Sequence, residues 1–249
     1  MYYISYSRLV EARTRGEKKY CQYHSNGQLM LKVSFKPNKI NVYEWYYPDG
    51  QLRGKMSEKA GKSHGLDSWW DKNGVLRRST NYKNGIKHGL AEEFSEDGVL
   101  EKSFNYKHGM YHGLCENFFP DGSLRVKRFF KNDKPHGLLE TYWSKGILKE
   151  KSYFKNGNHD GPDLAFYRTG KLKEEITWKN GKIHGHKSFL PDGQIWLELT
   201  WKNGKNKRLP DKGVVKKFHE RGLNRLAEKL FKNGDWYFSK KFGFNVLKE

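Results

Sequence analysis

Histidines recur at a fixed interval along this chain: His64, His88, His112 and His136 step by 24 residues, Asp160 stands at the next place and His184 follows it. Imidazole and carboxylate are zinc ligands, so such a series raises the question of a metal. The interval argues against one. If each step is a pair of strands, equivalent side chains sit about 10 Å apart, while the ligands of one zinc lie about 2.0–2.1 Å from it. These residues are therefore expected to serve turns, and neither a metal nor a cofactor is implied.

A second series could act through charge. Lys83, Lys107, Lys131, Lys155, Lys179 and Lys202 recur beside Asn-Gly-like pairs, and Lys87, Lys182 and Lys205 fall close to the same edge. They predict a comb of positive charge along one rim. Lysine there can protect turns and sheet edges, or it can form a track for anionic lipid or nucleic acid. The chain holds 48 Lys and Arg against 28 Asp and Glu, a formal charge of +20, which exceeds what solubility asks for. The balance predicts an acidic partner: another protein, an anionic lipid surface or nucleic acid.

No arrangement of residues suggests catalysis. A glycine-rich phosphate loop, His-Glu-x-x-His and Gly-x-Ser-x-Gly are all missing from the sequence, and each is a recognisable site motif. Glu92-Glu93 and Glu174-Glu175 fall at strand positions, where cross-strand lysines suit them. The expectation is a protein that is not an enzyme. The two cysteines, Cys21 and Cys115, are far apart and outside any Cys-x-x-Cys spacing, so neither a disulfide framework nor a zinc site is indicated. Met1 to Arg8 lacks the apolar core of a signal peptide, and no run reaches the roughly 18 apolar residues of a membrane-spanning helix. These features point to a soluble cytoplasmic protein.

Whatever these residues do, their position depends on a repeat. Gly50, Gly74, Gly98, Gly122, Gly146 and Gly170 lie 24 residues apart, and so do Gly65, Gly89, Gly113, Gly137, Gly161 and Gly185. A third series runs through Gly85, Gly109, Gly157, Gly181 and Gly204, with Asp133 in one place. Pro48-Asp49-Gly50 and Lys83-Asn84-Gly85 typify the first and third series. Asp-Gly and Asn-Gly supply the positive φ that tight hairpin turns need, and the second series is read as turn glycines too. Between the turns the chain alternates by two, as in Leu100, Lys102, Phe104 and Tyr106, which is the strand signal. Hydrophobic residues make up 35% of the chain and aromatics 15%, a balance that favours pleated, half-exposed surface over an aliphatic core.

The predicted fold is all-β: an elongated antiparallel meander of tandem hairpins of about 24 residues, with neighbouring units supporting one another. Two aromatic columns follow from the period. Trp70, Phe94, Phe118, Tyr142 and Phe166 form one, and Tyr82, Tyr106, Phe130, Phe154, Trp178 and Trp201 the other. Holding the sheet together is the simpler role for them; stacking of bases is the functional alternative.

The segments Phe118 to Leu124, reading Phe-x-x-Asp-Gly-x-Leu, and Tyr82 to Gly89, reading Tyr-Lys-Asn-Gly-x-x-His-Gly, resemble the MORN-variant repeat. The resemblance covers residues 20–205 in about eight units, with 1–19 as an N-terminal cap and 206–249 as a degenerate repeat and C-terminal cap. A capping strand is expected in the first segment, and a short helix over Leu223 to Phe231 in the last. The resemblance implies a scaffold or adaptor for protein–protein interaction. It also implies two settings: a component of a larger assembly such as a virus particle, in host cytoplasm or virion, and an antitoxin of a toxin–antitoxin pair. Binding of anionic lipid or nucleic acid through the rim is the other reading. Oligomeric state is left open.

Overall fold

The computed structural model describes residues 6–36, 40–202 and 205–206. The chain divides into two compact units, Met1–Ile147 and Leu148–Glu249. Both are antiparallel meanders of tandem hairpins, so the all-β reading holds.

Unit 1 opens with helix α1 (Tyr6–Thr14). Five strands follow in the first part: β1 (Lys19–Tyr23), β2 (Leu29–Lys36), β3 (Ile40–Tyr46), β4 (Leu52–Lys59) and the short β5 (Lys62–Ser63). The meander continues through β6 (Gly65–Trp70), β7 (Leu76–Lys83), β8 (Ile86–Phe94), β9 (Leu100–Lys107), β10 (Met110–Phe118), β11 (Leu124–Lys131) and β12 (Lys134–Tyr142). Each strand pairs antiparallel with the next, β5 and β6 both lying on β4. Unit 2 contains β13 (Leu148–Lys155), β14 (Asn158–His159), β15 (Gly161–Phe166), β16 (Leu172–Lys179), β17 (Lys182–Phe189), β18 (Ile195–Lys202) and β19 (Lys205–Asn206). Its pairing repeats the same plan, with β14 and β15 on β13.

Two kinds of turn alternate, as the glycine series require. At Asn84-Gly85 both residues have positive φ, 53° and 84°, the requirement of the two-residue turn that matches strand twist. At the other end Tyr47 N–H donates to Gln51 O at 2.8 Å and Gly50 N–H to Tyr47 O at 2.9 Å, while Asp49 Oδ1 accepts from Gln51 N–H.

The second glycine series is placed otherwise than predicted. Gly89, Gly113 and Gly137 lie inside strands β8, β10 and β12, and Gly65 and Gly161 begin strands. They sit at bulges. Between the rungs Thr80↔Ala91 and Tyr82↔Lys87 one residue, Asn81, faces three: His88, Gly89 and Leu90. Gly89 has φ +99°, open to glycine and costly for other residues. Gly185 departs from its series. It pairs with Thr177 and Thr200 and is not among the residues with positive φ. Alternation alone does not distinguish such a bulge from a turn, because both need a residue with left-handed backbone.

At the N-terminus a helix stands where a capping strand was expected. Leu9 and Ala12, one turn apart, bury on one side, at 6% and 1% exposure. Gly16 at φ +74° stops the helix, as a left-handed glycine commonly does. Leu9 packs with Leu31, Val33 and Tyr43, and with Tyr20, Phe35, Trp45 and Met56 around them. The degenerate repeat and the short helix expected over 206–249 lie outside the described residues, apart from Asn206 at the end of β19.

Candidate docking surface: a lysine rim and two unlike faces

The Asn-Gly turns of unit 1 gather at one rim. Lys83, Lys107 and Lys131 occupy the last rungs before them, opposite Ile86, Met110 and Lys134. All three are exposed. Lys36 and Lys59 end β2 and β4 in the same way and were missed in the sequence because no Asn-Gly follows them; the lysine interval alone would have found them. In unit 2, Lys155 and Lys179 end β13 and β16 and are exposed as well. The backbone of Lys202 ends β18. At the Asp-Gly rim carboxylates are tied into the turns: the Ser123 hydroxyl and N–H hold the Asp121 carboxyl below its usual range.

His64, His88, His112 and Asp160 of the series reach from a bulge to the following Asn-Gly-type turn. His64 Nδ1 accepts from Asn84 N–H and His88 Nδ1 from His108 N–H, both at the long distance of 3.5 Å. His112 Nδ1 lies 3.1 Å from Asn132 Oδ1, and Asp160 Oδ1 accepts from Asn180 N–H at 3.1 Å. A carboxylate can replace imidazole in the series because the turn N–H asks only for an acceptor. Among the described residues no three His, Cys, Asp or Glu side chains converge on a metal position.

The predicted column of Tyr82, Tyr106 and Phe130 is spaced two strands apart and needs a residue on the strand between. Tyr111 supplies it: its ring centroid lies 4.8 Å from that of Tyr106 and 5.5 Å from that of Phe130. Lys87 does the same for the preceding step, with its Nζ 4.9 Å from the Tyr106 centroid. In unit 2, His159 stands between Phe154 and Trp178 at 4.2 and 4.9 Å. Sequence reasoning missed these bridging positions, which carry a different residue type in each repeat.

The two faces of unit 1 differ. Register puts Leu31, Val33, Tyr43, Trp45, Ala91, Phe104, Cys115 and Arg128 on the face that carries α1. Here Trp45 stacks on both Tyr43 and Trp69, with centroids 5.7 and 5.3 Å apart. Cys115 is fully buried, and burial raises its thiol pKa. The opposite face has a charge ladder in which Glu44 takes Lys55 at 2.9 Å and Lys32 at 3.0 Å. The hydrogen bond from Lys55 leads the effects that hold the Glu44 carboxyl below its ordinary range.

One trio in unit 2 has the residue types of a nucleophile relay. Ser188 Oγ and Glu174 Oε1 both meet Nε2 of His186, at 3.2 and 2.8 Å. A relay needs the hydroxyl and the carboxylate on different imidazole nitrogens, and His186 is only 1% exposed. The trio is therefore internal polar packing.

Hairpins of one period, bulged at one place and stapled turn to turn, define a tandem β-hairpin repeat protein. The family profile described as MORN repeat variant matches residues 17–36, 40–57, 63–84, 87–108, 111–132, 135–156 and 162–180, more than half of the chain. The chain belongs to that family. Strands β17 and β18 extend the meander past the seventh match. A comparison with curated proteins returns no match. MORN repeats are non-catalytic scaffolds that commonly bind proteins or membrane lipids. No helix among the described residues is long and apolar enough to cross a membrane.

Proposed function

We propose that this chain is a non-enzymatic scaffold that docks an acidic protein through repeated contacts along its sheet, with the lysine rim strengthening the hold. The observation that carries this reading is the regular exposure of Lys83, Lys107 and Lys131, none of which forms an ion pair in the described structure. Equivalent lysines lie about 10 Å apart, two strands per step. Many weak contacts at such a spacing add up to useful affinity. Affinity purification with mass spectrometry at two salt concentrations tests the reading. Recovery of an acidic protein whose retention weakens with salt supports it; failure to recover any protein partner at either concentration removes it. A toxin or a virus-particle protein recovered in this way would fix the setting.

A second reading has its own observation. Leu66 and Ile86, which are 50% and 49% exposed, fall on the same face as Lys83 by register. Exposed aliphatic groups beside lysines suit the surface of an anionic membrane. Sedimentation with phosphatidylserine vesicles that does not change between low and physiological salt would refute this reading.

A further inference from the structure

The face of unit 1 that carries α1 runs on past the helix across β6 to β11. There it displays the partly exposed Trp69, Phe104 and Phe130, and it also keeps orphaned polar atoms. Asp67 Oδ1, Asn117 Oδ1 and Arg128 Nε are buried without a hydrogen-bond partner. Register places all three residues on this one face. Orphaned groups of this kind are rare in folded proteins and costly to keep. The opposite face satisfies its polar groups, as in the Lys32–Glu44–Lys55 ladder and the Ser79 hydroxyl donating to Glu92 at 3.1 Å.

We propose that this stretch receives an acidic amphipathic helix from the partner protein, laid across the strands as α1 is laid against β2 and β3. The inference rests on the scaffold reading and specifies what docks. Its first support is continuity with α1. Strands lie about 4.8 Å apart, and helix side chains three or four residues apart are about 5–6 Å apart, so a crossing helix offers roughly one side chain to each strand. Leu9 already seats one such side chain on this face, against Leu31, Val33 and Tyr43. Side chains on one side of an extended segment recur at about 6.6–6.8 Å, every second residue, and drift out of step with the strands. The second support is charge. Glu93 and Lys102 neutralise each other at 2.7 Å, which leaves Arg78, Lys87 and Arg128 against Asp67. An acidic helix complements that balance and can offer carboxylates to Arg128.

The test is selection of binders to the full chain from a display library of random peptides. Enriched sequences are expected to repeat apolar residues at three- and four-residue spacing with Asp and Glu between them. Arg128→Glu is expected to weaken them by about tenfold, and Lys107→Glu much less. A benzophenone on the peptide keeps the test independent of how well either variant folds. On the unaltered chain it should label Phe104, Phe130 and their neighbours, which stay partly exposed on this face. Enrichment of non-helical sequences, absence of any enriched binder, or labelling confined to the Asn-Gly rim overturns the helix proposal. If rim labelling comes with a recovered acidic partner, the scaffold reading stands and the docking face alone is wrong.

Discussion

The side-chain amide of Asn105 donates to the carbonyl of Leu114 at 2.9 Å, from one strand into the bulge of the next. Asn81 does the same for Leu90 at 2.8 Å, one repeat earlier. A bulge leaves ladder carbonyls without backbone partners, and these asparagines fill the gap. Asn105→Ala should therefore cost about 1–2 kcal/mol of unfolding free energy, with Asn105→Asp no better because a carboxylate cannot donate. Urea titration of both variants measures this; an unchanged midpoint for Asn105→Ala would refute the assignment.

Gly54 is outside all three glycine series, yet it has a sharp steric role. A Cβ there would come within 2.6 Å of the Trp69 ring. Gly54→Ala should push that ring away and break its stack on Trp45, at a cost of about 1–3 kcal/mol for an overpacked site. Thermal unfolding with near-ultraviolet circular dichroism reads both stability and the indole pair. Loss of stability with the indole signal intact would rule out this cause.

Asp160 tests what the turn staples require. Asp160→Asn keeps an oxygen that accepts from Asn180 N–H and should melt within a degree or so of the natural protein, while Asp160→Ala should lose about 0.5–1.5 kcal/mol. Equal losses in the two variants would mean that the carboxylate charge matters, and the shared role with the histidines would fall.

Glu44 links stability to acid. Its carboxyl is held below the ordinary glutamate range, first by Lys55, so its contribution is complete above that range and disappears as pH falls through the lowered folded-state value. The lysine partners are partly exposed, which limits the effect to about 0.5–1 kcal/mol. Glu44→Gln should lower stability at neutral pH by that amount and converge with the natural protein in acid. Melting curves that stay parallel across the acid range would contradict the linkage.

By itself the sequence determined the period, the strands, both turn types and the lysine interval. These depend on neighbours a few residues apart: Asp-Gly and Asn-Gly bend the chain locally, and alternation marks a strand wherever it lies. The histidine series was legible as structural, though its reach to the following turn was not. Tertiary structure decided what depends on register between segments. Only pairing shows that Gly89 sits in a bulge, that Asn81 satisfies it, and that Tyr111 bridges Tyr106 and Phe130. Only packing gives Tyr6–Thr14 a surface to cover, and with it a helix, because Leu9 has nothing to bury against until β2 and β3 stand side by side. The difference between the two faces arises in the same way, since a residue's side of the sheet depends on every bulge that shifts the pleat before it.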